Sequence, residues 1–514
     1  TLDAKGSFDL VASTTISGTS LKAETGSGLV KTAGAIDLGT TNIATTLGVT
    51  STGGGITLGS AASGGTQTLH AAQDIALTQL TTTAGDVDAT SDAGSITGGS
   101  IHAQRSATLI AALDNTGDQL VTATGSAKLT AGGLIDWNNI QAATTLYAAS
   151  AGGALTLGTA TSGGTQYLSA ANDITFAHLT TTGVPGDEGD IALVAGGAIL
   201  GGDVNANGLL FANANGMTFG DVVANVSITL DSSSTIAGND FTTLGVADMN
   251  AAGAMKLGNL SSSTLSLSSP SSLILNNLSV QTGANFAVND LQIGVLRQNP
   301  NATGPLAIDL TGYKGGVGDS ATIGTIDAPN GVLIPELWEG DTTIATNASL
   351  VTIESAVVTR TLDLTTASDK IWVNDQTSAP RNGFDVQLFQ PGYAFYLTQN
   401  GTFTTTNAFV VQYDDNSAIV DQLSGNIDLG ASFARDFNRQ GWLGDSEMLS
   451  VEGGSQTGWQ FPVEAFDLHL QNLFGQPISL EQPGQPAVSI GDSDAPTELV
   501  SDGRGFTIIV KRRH

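Results

Sequence analysis

The sequence predicts an all-β protein: a parallel β-helix of about 20 residues per coil, followed by a smaller β-rich domain. Three observations predict it. The first is a copy. Residues 56–83, ITLGSAASGGTQTLHAAQDIALTQLTTT, return at 155–182 as LTLGTATSGGTQYLSAANDITFAHLTTT, offset by 99 with no gap. The second is spacing. The intervals between Ile36, Ile56, Ile75 and Ile96 are 20, 19 and 21, and Leu109, Leu129, Leu155 and Ile174 continue at 20, 26 and 19. The third is composition. Charged residues make up only 12% of the chain, where about a quarter is usual. The 65 glycines in 514 residues are nearly twice the usual share.

The strands follow from alternation. Ala35-Ile36-Asp37-Leu38, Ile56-Thr57-Leu58, Asp74-Ile75-Ala76-Leu77 and Ser95-Ile96-Thr97 each set an aliphatic against a small or polar residue. That is the period of a half-buried strand. Gly, Asn, Asp and Ser fill the gaps as turns. Apolar residues do not recur at three and four, and Gly and β-branched Thr are frequent, so helices are not expected. Coils spaced about 4.8 Å apart satisfy their backbone groups through the coils above and below. Roughly sixteen coils would make a rod of about 75–80 Å. The offset of 99 is about five coils, so a copied block can stack in register.

The insertion Gly183-Val184-Pro185-Gly186-Asp187-Glu188-Gly189-Asp190 reads as an external loop. Asn299-Pro300-Asn301 and Pro329-Asn330-Gly331 read as turns. Near residue 331 the composition changes. Positions 1–330 hold 10 aromatics and positions 331–514 hold 18. The expected division is therefore a repeat stalk at 1–344 and a β-rich C-terminal domain at 345–514. In the latter, residues 383–389 (GFDVQLF) and 394–398 (AFYLT) alternate around Gln390-Pro391-Gly392, which reads as a hairpin. Residues 403–413 read as two strands, 462–474 as one short helix, and 505–510 as a strand. No succession of ten-residue alternating segments suggests a membrane barrel.

Several function classes are disfavoured. With 47 acidic against 17 basic residues, the net charge of −30 opposes nucleic-acid binding. No cysteine is present, so thiol nucleophiles, Cys-zinc sites and disulfides are excluded. No run of about 20 apolar residues marks a transmembrane helix. The chain begins TLDAKGSFDL, without Met or a signal peptide, and reads as a piece of a longer protein.

Candidate chemistry is sparse. His70, His102, His178, His469 and His514 are scattered without metal-ligand spacing. Carboxylates group at Asp86, Asp88 and Asp92, at Asp187, Glu188 and Asp190, and at Asp414 and Asp415. Paired carboxylates cut glycosidic bonds, but loop solvation explains these as well. No catalytic residue and no resident cofactor is expected, Ca²⁺ being the one ion the acidic loops would suit. Trp338, Trp372, Trp442 and Trp459 lie in or near turn-like segments, and Tyr393, Phe395 and Tyr396 cluster. Core packing is the ordinary role of such residues. Trp372, Tyr393, Tyr396, Trp442 and Trp459 are the candidates for binding a glycan or partner.

Strands such as GGITLGSAASGGTQTL, AAQDIALTQL and GDIALVAGGAIL resemble the stalks of filamentous-haemagglutinin-type adhesins, over about residues 1–330. These are bacterial exoproteins of two-partner secretion. The resemblance implies a right-handed helix, export through a separate outer-membrane pore, and a role in attachment, aggregation or biofilm at the cell surface. It also implies partners: surface glycan, matrix or another copy. Two features depart from the family. Its Asn-Pro-Asn motifs belong to an N-terminal secretion domain, whereas Asn299-Pro300-Asn301 comes late. The cysteine pair that anchors some members is missing. The chain therefore resembles a C-terminal portion of such a protein. The contrasting expectation is a tailspike-like polysaccharide lyase or hydrolase, which needs carboxylates and a basic residue converging on one face. Only eight Lys and Arg occur in residues 1–330.

Overall fold

The computed structural model describes residues 1–183, 189–310 and 320–334, and beyond these the backbone of short strands between 341 and 511. The described chain is all β. Its parallel sheet winds into a β-solenoid of about 15 turns, with about 20 residues per turn. By internal contacts it divides into two units, Thr1–Gly258 and Asn259–His514.

In the first unit a turn typically contains one long and one short strand, the long one being split once, into Gly216–Phe219 and Val222–Ala224. The long strands have eight residues, as in Ile36–Ile43, Ile56–Ser63 and Ile75–Thr82. The short ones have five, as in Leu47–Ser51, Gln67–Ala71 and Val87–Ser91. Short strands alternate strictly, with the first, third and fifth residues buried. Long strands bury the first, third, sixth and eighth, so the fourth and fifth face outward together. Two successive outward residues break the period of two and bend the strand. The pairing register skips this point: Leu38 pairs with Leu58, then Thr40 with Ser60. Glycine suits the bend because a Cβ on Gly59 would lie 2.5 Å from the Gly39 carbonyl oxygen.

The strands of successive turns pair in parallel and in register. Like residues therefore stack in columns. Ile36, Ile56, Ile75 and Ile96 form one, and Leu38, Leu58 and Leu77 the next, nearly all fully buried. The isoleucine spacing of the sequence is this column. The copied stretch spans three strands, its two copies lie five turns apart, and the strands keep the same burial order in both.

The leucine column then changes character. In successive turns it holds Gly98, Gly117 and Trp137. Trp137 is fully buried. A Cβ on Gly117 would overlap its ring, and one on Gly98 would meet Cη2 at 3.0 Å. The two glycines thus leave the volume that the indole fills. The indole also needs an acceptor, because a buried N–H without one is costly. Asn115 replaces isoleucine in the adjacent column, and its Oδ1 accepts from Trp137 Nε1 at 3.2 Å. Its Nδ2 donates to the Leu109 carbonyl at 3.1 Å. Lower in the unit, Gly201 leaves room for the Phe176 ring and Gly238 for that of Phe241, by the same rule.

In the second unit the turns are at first shorter. Leu273, Leu275 and Leu278 recur at an interval of 18 as Leu291, Ile293 and Leu296, all buried. Corners shrink enough that Met255–Gln298 runs as one strand. Asn299-Pro300-Asn301 forms a turn, in which Ala302 N donates to Asn299 O at 2.9 Å. Gly331, at φ 98, provides the left-handed residue of the next.

Parallel pairing continues to Phe403–Thr405, and here the expected hairpin is replaced. Asp385–Leu388 pairs in parallel with Thr361–Thr366 on one side and Phe403–Thr405 on the other. Ala394–Leu397 pairs in parallel with Lys370–Asp375. Alternation and a Pro-Gly turn define strands, not their partners. Asp363 lies opposite Asp385 and Lys370 opposite Ala394, separations that suit one solenoid turn. Antiparallel pairs follow: Phe403–Thr405 with Ile427–Leu429, and Thr497–Ser501 with Thr507–Lys511. The segment expected as a helix is described only at Leu470–Asn472, which is a strand paired with Asn416–Val420. Among the described residues no helix is long and apolar enough to cross a membrane.

The Trp137 site makes a direct test. Gly117→Ala should destabilise the chain by about 1–3 kcal/mol through overpacking. Combining it with Trp137→Leu should recover about 1–2 kcal/mol of the summed losses. Urea unfolding of the two single variants and the double variant measures this, and strictly additive losses would refute the packing account.

Candidate functional site

The most distinctive residues of the sequence are those kept in the two copies, and the structure assigns each a packing task. Gln67 and Gln166 start short strands and point inward, fully buried. Gln67 Nε2 donates to Thr81 O at 2.8 Å and Gln166 Nε2 to Thr180 O at 2.8 Å. Ser63 Oγ donates to Gly65 O at 2.5 Å. Gly64 and Gly163 pass so close to the turn before that a Cβ would overlap the carbonyls of Ala44 and Ala143. The Asp of each Asp-Ile pair caps a corner. Asp74 Oδ1 accepts from Ser95 N at 2.8 Å and Asp173 Oδ1 from Ala198 N at 2.7 Å. The Leu-Thr-Thr-Thr ends likewise: Thr82 Oγ1 donates to Gly85 O at 2.6 Å and accepts from Gln104 N at 3.0 Å. Thr181 repeats this with Gly189 O and Asn207 N.

Among the described residues the candidate carboxylates come together only as neighbours at the start of one strand, Asp86 and Asp88, with Arg105 Nε 3.9 Å from Asp86 Oδ1. Asp86 Oδ1 caps the next corner through Ser106 N at 3.0 Å. Asp190 Oδ1 does the same through Leu209 N at 2.9 Å. Asp92 pairs with His70 at 2.9 Å in the open, with both side chains about half exposed. Asp88 is half-buried on the outer side of Val87–Ser91. Burial holds its carboxyl above the usual range. The charge of Asp86 adds to this, and a hydrogen bond with Thr108 opposes it. Asp187, Glu188, Asp414 and Asp415 lie outside the described residues.

The histidines stay apart. His102 Nε2 lies 3.3 Å from Gln119 Oε1, and His178 Nδ1 lies 3.3 Å from Asp203. His469 and His514 fall outside the described residues. Among the described residues no three His, Asp or Glu side chains gather as metal ligands would. A shallow cleft of about 240 Å³ follows stacked corners at Thr122, Gln141, Ala142, Thr161 and Ser162. Its lining carries no charge.

Of the aromatic candidates, Trp372 and Tyr396 belong to strands that pair in register, residue against residue. Phe395 sits opposite Ile371 in the same pair. Trp338, Tyr393, Trp442 and Trp459 lie outside the described residues. A different aromatic pair escapes a reading guided by aromatic density. Tyr147 and Tyr167 stack at 5.3 Å between centroids and 10° between planes. Both are 39% exposed. Lys128 Nζ sits 5.8 Å from the Tyr147 centroid. The signal was present in the sequence, where the two tyrosines stand one turn apart.

The structure thus defines a class, the parallel β-solenoids. The chain matches no family model, no curated protein and no solved structure.

Two expectations separate cap from surface charge. Asp190→Ala should cost about 1–2 kcal/mol by orphaning the part-buried Leu209 N–H. Asp92→Ala should cost under about 0.5 kcal/mol. Equal losses in chemical unfolding would refute the distinction. Asp88 carries a pH test. Its raised folded value means the native chain holds the proton more tightly than the unfolded chain. Its stabilising contribution is therefore full below the unfolded value and is lost as pH rises through the folded one. Asp88→Asn should raise Tm by about 1 °C at pH 7 and by nothing at pH 3. Thermal melts at both values check the sign.

Proposed function

We propose that this chain is a structural adhesin segment displayed on a bacterial cell surface, without catalysis and without a resident cofactor. One observation carries the reading. The polar residues that make the sequence distinctive are committed to holding turn against turn. Asp74, Asp86, Asp173 and Asp190 bond to backbone groups at corners, and Gln67 to the Thr81 carbonyl of a long strand. A carboxylate fixed as a corner cap is poorly placed to share a proton with a substrate. A solenoid also supplies what attachment needs, a repetitive outer face on a self-supporting backbone.

The likeness of its repeats to filamentous-haemagglutinin-type stalks supports export by two-partner secretion through a separate outer-membrane pore. The partners in this reading are surface glycans, matrix or another copy of the chain. Trp372, Tyr393, Tyr396, Trp442 and Trp459 are the proposed contacts in the C-terminal part. The net charge of −30 supports the choice of these partners over nucleic acid.

Displayed on a non-adherent bacterium, the chain should raise retention on glycan- or matrix-coated surfaces several-fold. Soluble polysaccharides incubated with the purified chain should keep their viscosity. A falling viscosity that one Asp→Ala variant abolishes would replace this reading with a polysaccharide-cleaving one.

A further inference from the structure

We propose that the outer face of the short strands in the first unit binds the ring of a neutral pyranose, clamped between Tyr167 and Phe211 over Ala192. The face is a column in register. Lys128, Tyr147, Tyr167, Ala192, Phe211 and Thr229 occupy the same outward position in successive turns. The Tyr147 ring covers one face of Tyr167. The opposite face of Tyr167 looks along the column toward the next turn, where Ala192 presents only a methyl group. Phe211 stands one turn further. Two turns separate Tyr167 from Phe211 by about 9.6 Å. A ring held midway would sit about 4.8 Å from each, inside the range in which rings stack favourably.

The neighbouring column selects the kind of ring. Ser169 lies beside Tyr167, Val194 beside Ala192 and Asn213 beside Phe211, all outward on the same strands. Asn213 Nδ2 donates to Asp231 Oδ2 at 3.3 Å, and that pair is exposed. A pyranose offers an apolar C–H face to stack and a rim of hydroxyls to bond. Tyr167 and Phe211 meet the first, and Ser169 and Asn213, one turn to either side of the slot, meet the second. A plain aromatic ring would leave the polar groups unused. The sugar is neutral because the chain carries a net charge of −30, which repels anionic polymers, while Lys128, the cation of this column, lies over Tyr147 at the far end of the stack.

The internal copy shows that the fold does not require this face. One copy earlier, at the offset of 99, the equivalents of Tyr147 and Tyr167 are Gly48 and Thr68, in the same strands and register. In these short strands the buried positions keep Leu47 as Leu146, Gln67 as Gln166 and Leu69 as Leu168, with only Val49 shortened to Ala148, while the outer pair is replaced by stacked tyrosines. The inference rests on these contacts and does not depend on cell-surface display.

The test uses the full chain in affinity gel electrophoresis with three neutral polymers, xyloglucan, galactomannan and dextran, and with anionic polygalacturonate. At least one neutral polymer should retard the chain, and polygalacturonate should not. Tyr167→Thr restores the residue of the first copy, and Ala192→Tyr fills the slot. Each should weaken binding about tenfold or more. Thr108→Ala, outward on the same column, should bind as the parent does. Thermal melts confirm that the variants remain folded. The proposal falls if no neutral polymer retards the chain, if polygalacturonate retards it as strongly, or if both slot variants bind like the parent. Its failure would leave the attachment reading standing, since retention on matrix is measured independently of this face.

Discussion

Each turn of this chain takes its backbone hydrogen bonds from the turns on either side, in parallel and in register. That pairing fixes everything inside. A residue pointing inward lies over the same position in the turn before and under it in the turn after. The packing unit is therefore the column, and volume must balance along it. Trp137 exists because Gly98 and Gly117 make room in the two preceding turns. Asn115 sits among isoleucines because the indole N–H beside it needs an acceptor. Neither residue makes sense within its own strand. Both follow from the turns they touch.

The corners obey the same dependence with polar groups. At Ser51, Ser91 and Ser150, where a short strand ends in Ser, four residues precede the next long strand, whereas at Ser232 three do. Where it ends in Ala, as at Ala71, Ala111 and Ala170, three do. The serine hydroxyl accepts from an N–H inside the longer corner: Gly54, Gly94 and Gly153 each donate at 3.0 Å. It donates in turn to a carbonyl of the previous corner, Gly34 or Gln73. One hydroxyl thus absorbs the extra backbone groups of a one-residue insertion. Turns of slightly different length can then stack without leaving buried groups unpaired. The irregular spacing of the isoleucines is the trace of this adjustment.

Much of this was legible in advance, because the solenoid has a period. Ile36, Ile56, Ile75 and Ile96 are spaced by one turn, and alternation within each strand says which side faces in. Pairing beyond one turn is not written locally. Asp385–Leu388 and Ala394–Leu397 alternate as hairpin arms would, and the Pro-Gly between them suits a hairpin turn. They join strands a full turn away instead. Binding residues were harder still. Counting aromatics directs attention to the stretch beyond position 330, where they are dense. A ladder needs only two tyrosines one turn apart, and Tyr147 with Tyr167 adds almost nothing to a composition.

The two copies also show where such a chain is free to change. Inward residues are bound by the turns above and below, and corner residues by the caps they supply. A copy displaced by five whole turns keeps these relations intact, so the shared residues report folding. Outward positions on the strands have only solvent and their column neighbours to satisfy. There the copies part: Gly48 becomes Tyr147, Thr68 becomes Tyr167, and Gln79 becomes His178, which now pairs with Asp203 in the next turn. In most proteins recurrence of a motif draws attention to function. In a solenoid the logic reverses, because recurrence is the condition for stacking. Recognition has to be sought in what a later copy adds to a surface that its predecessor proves the fold can do without.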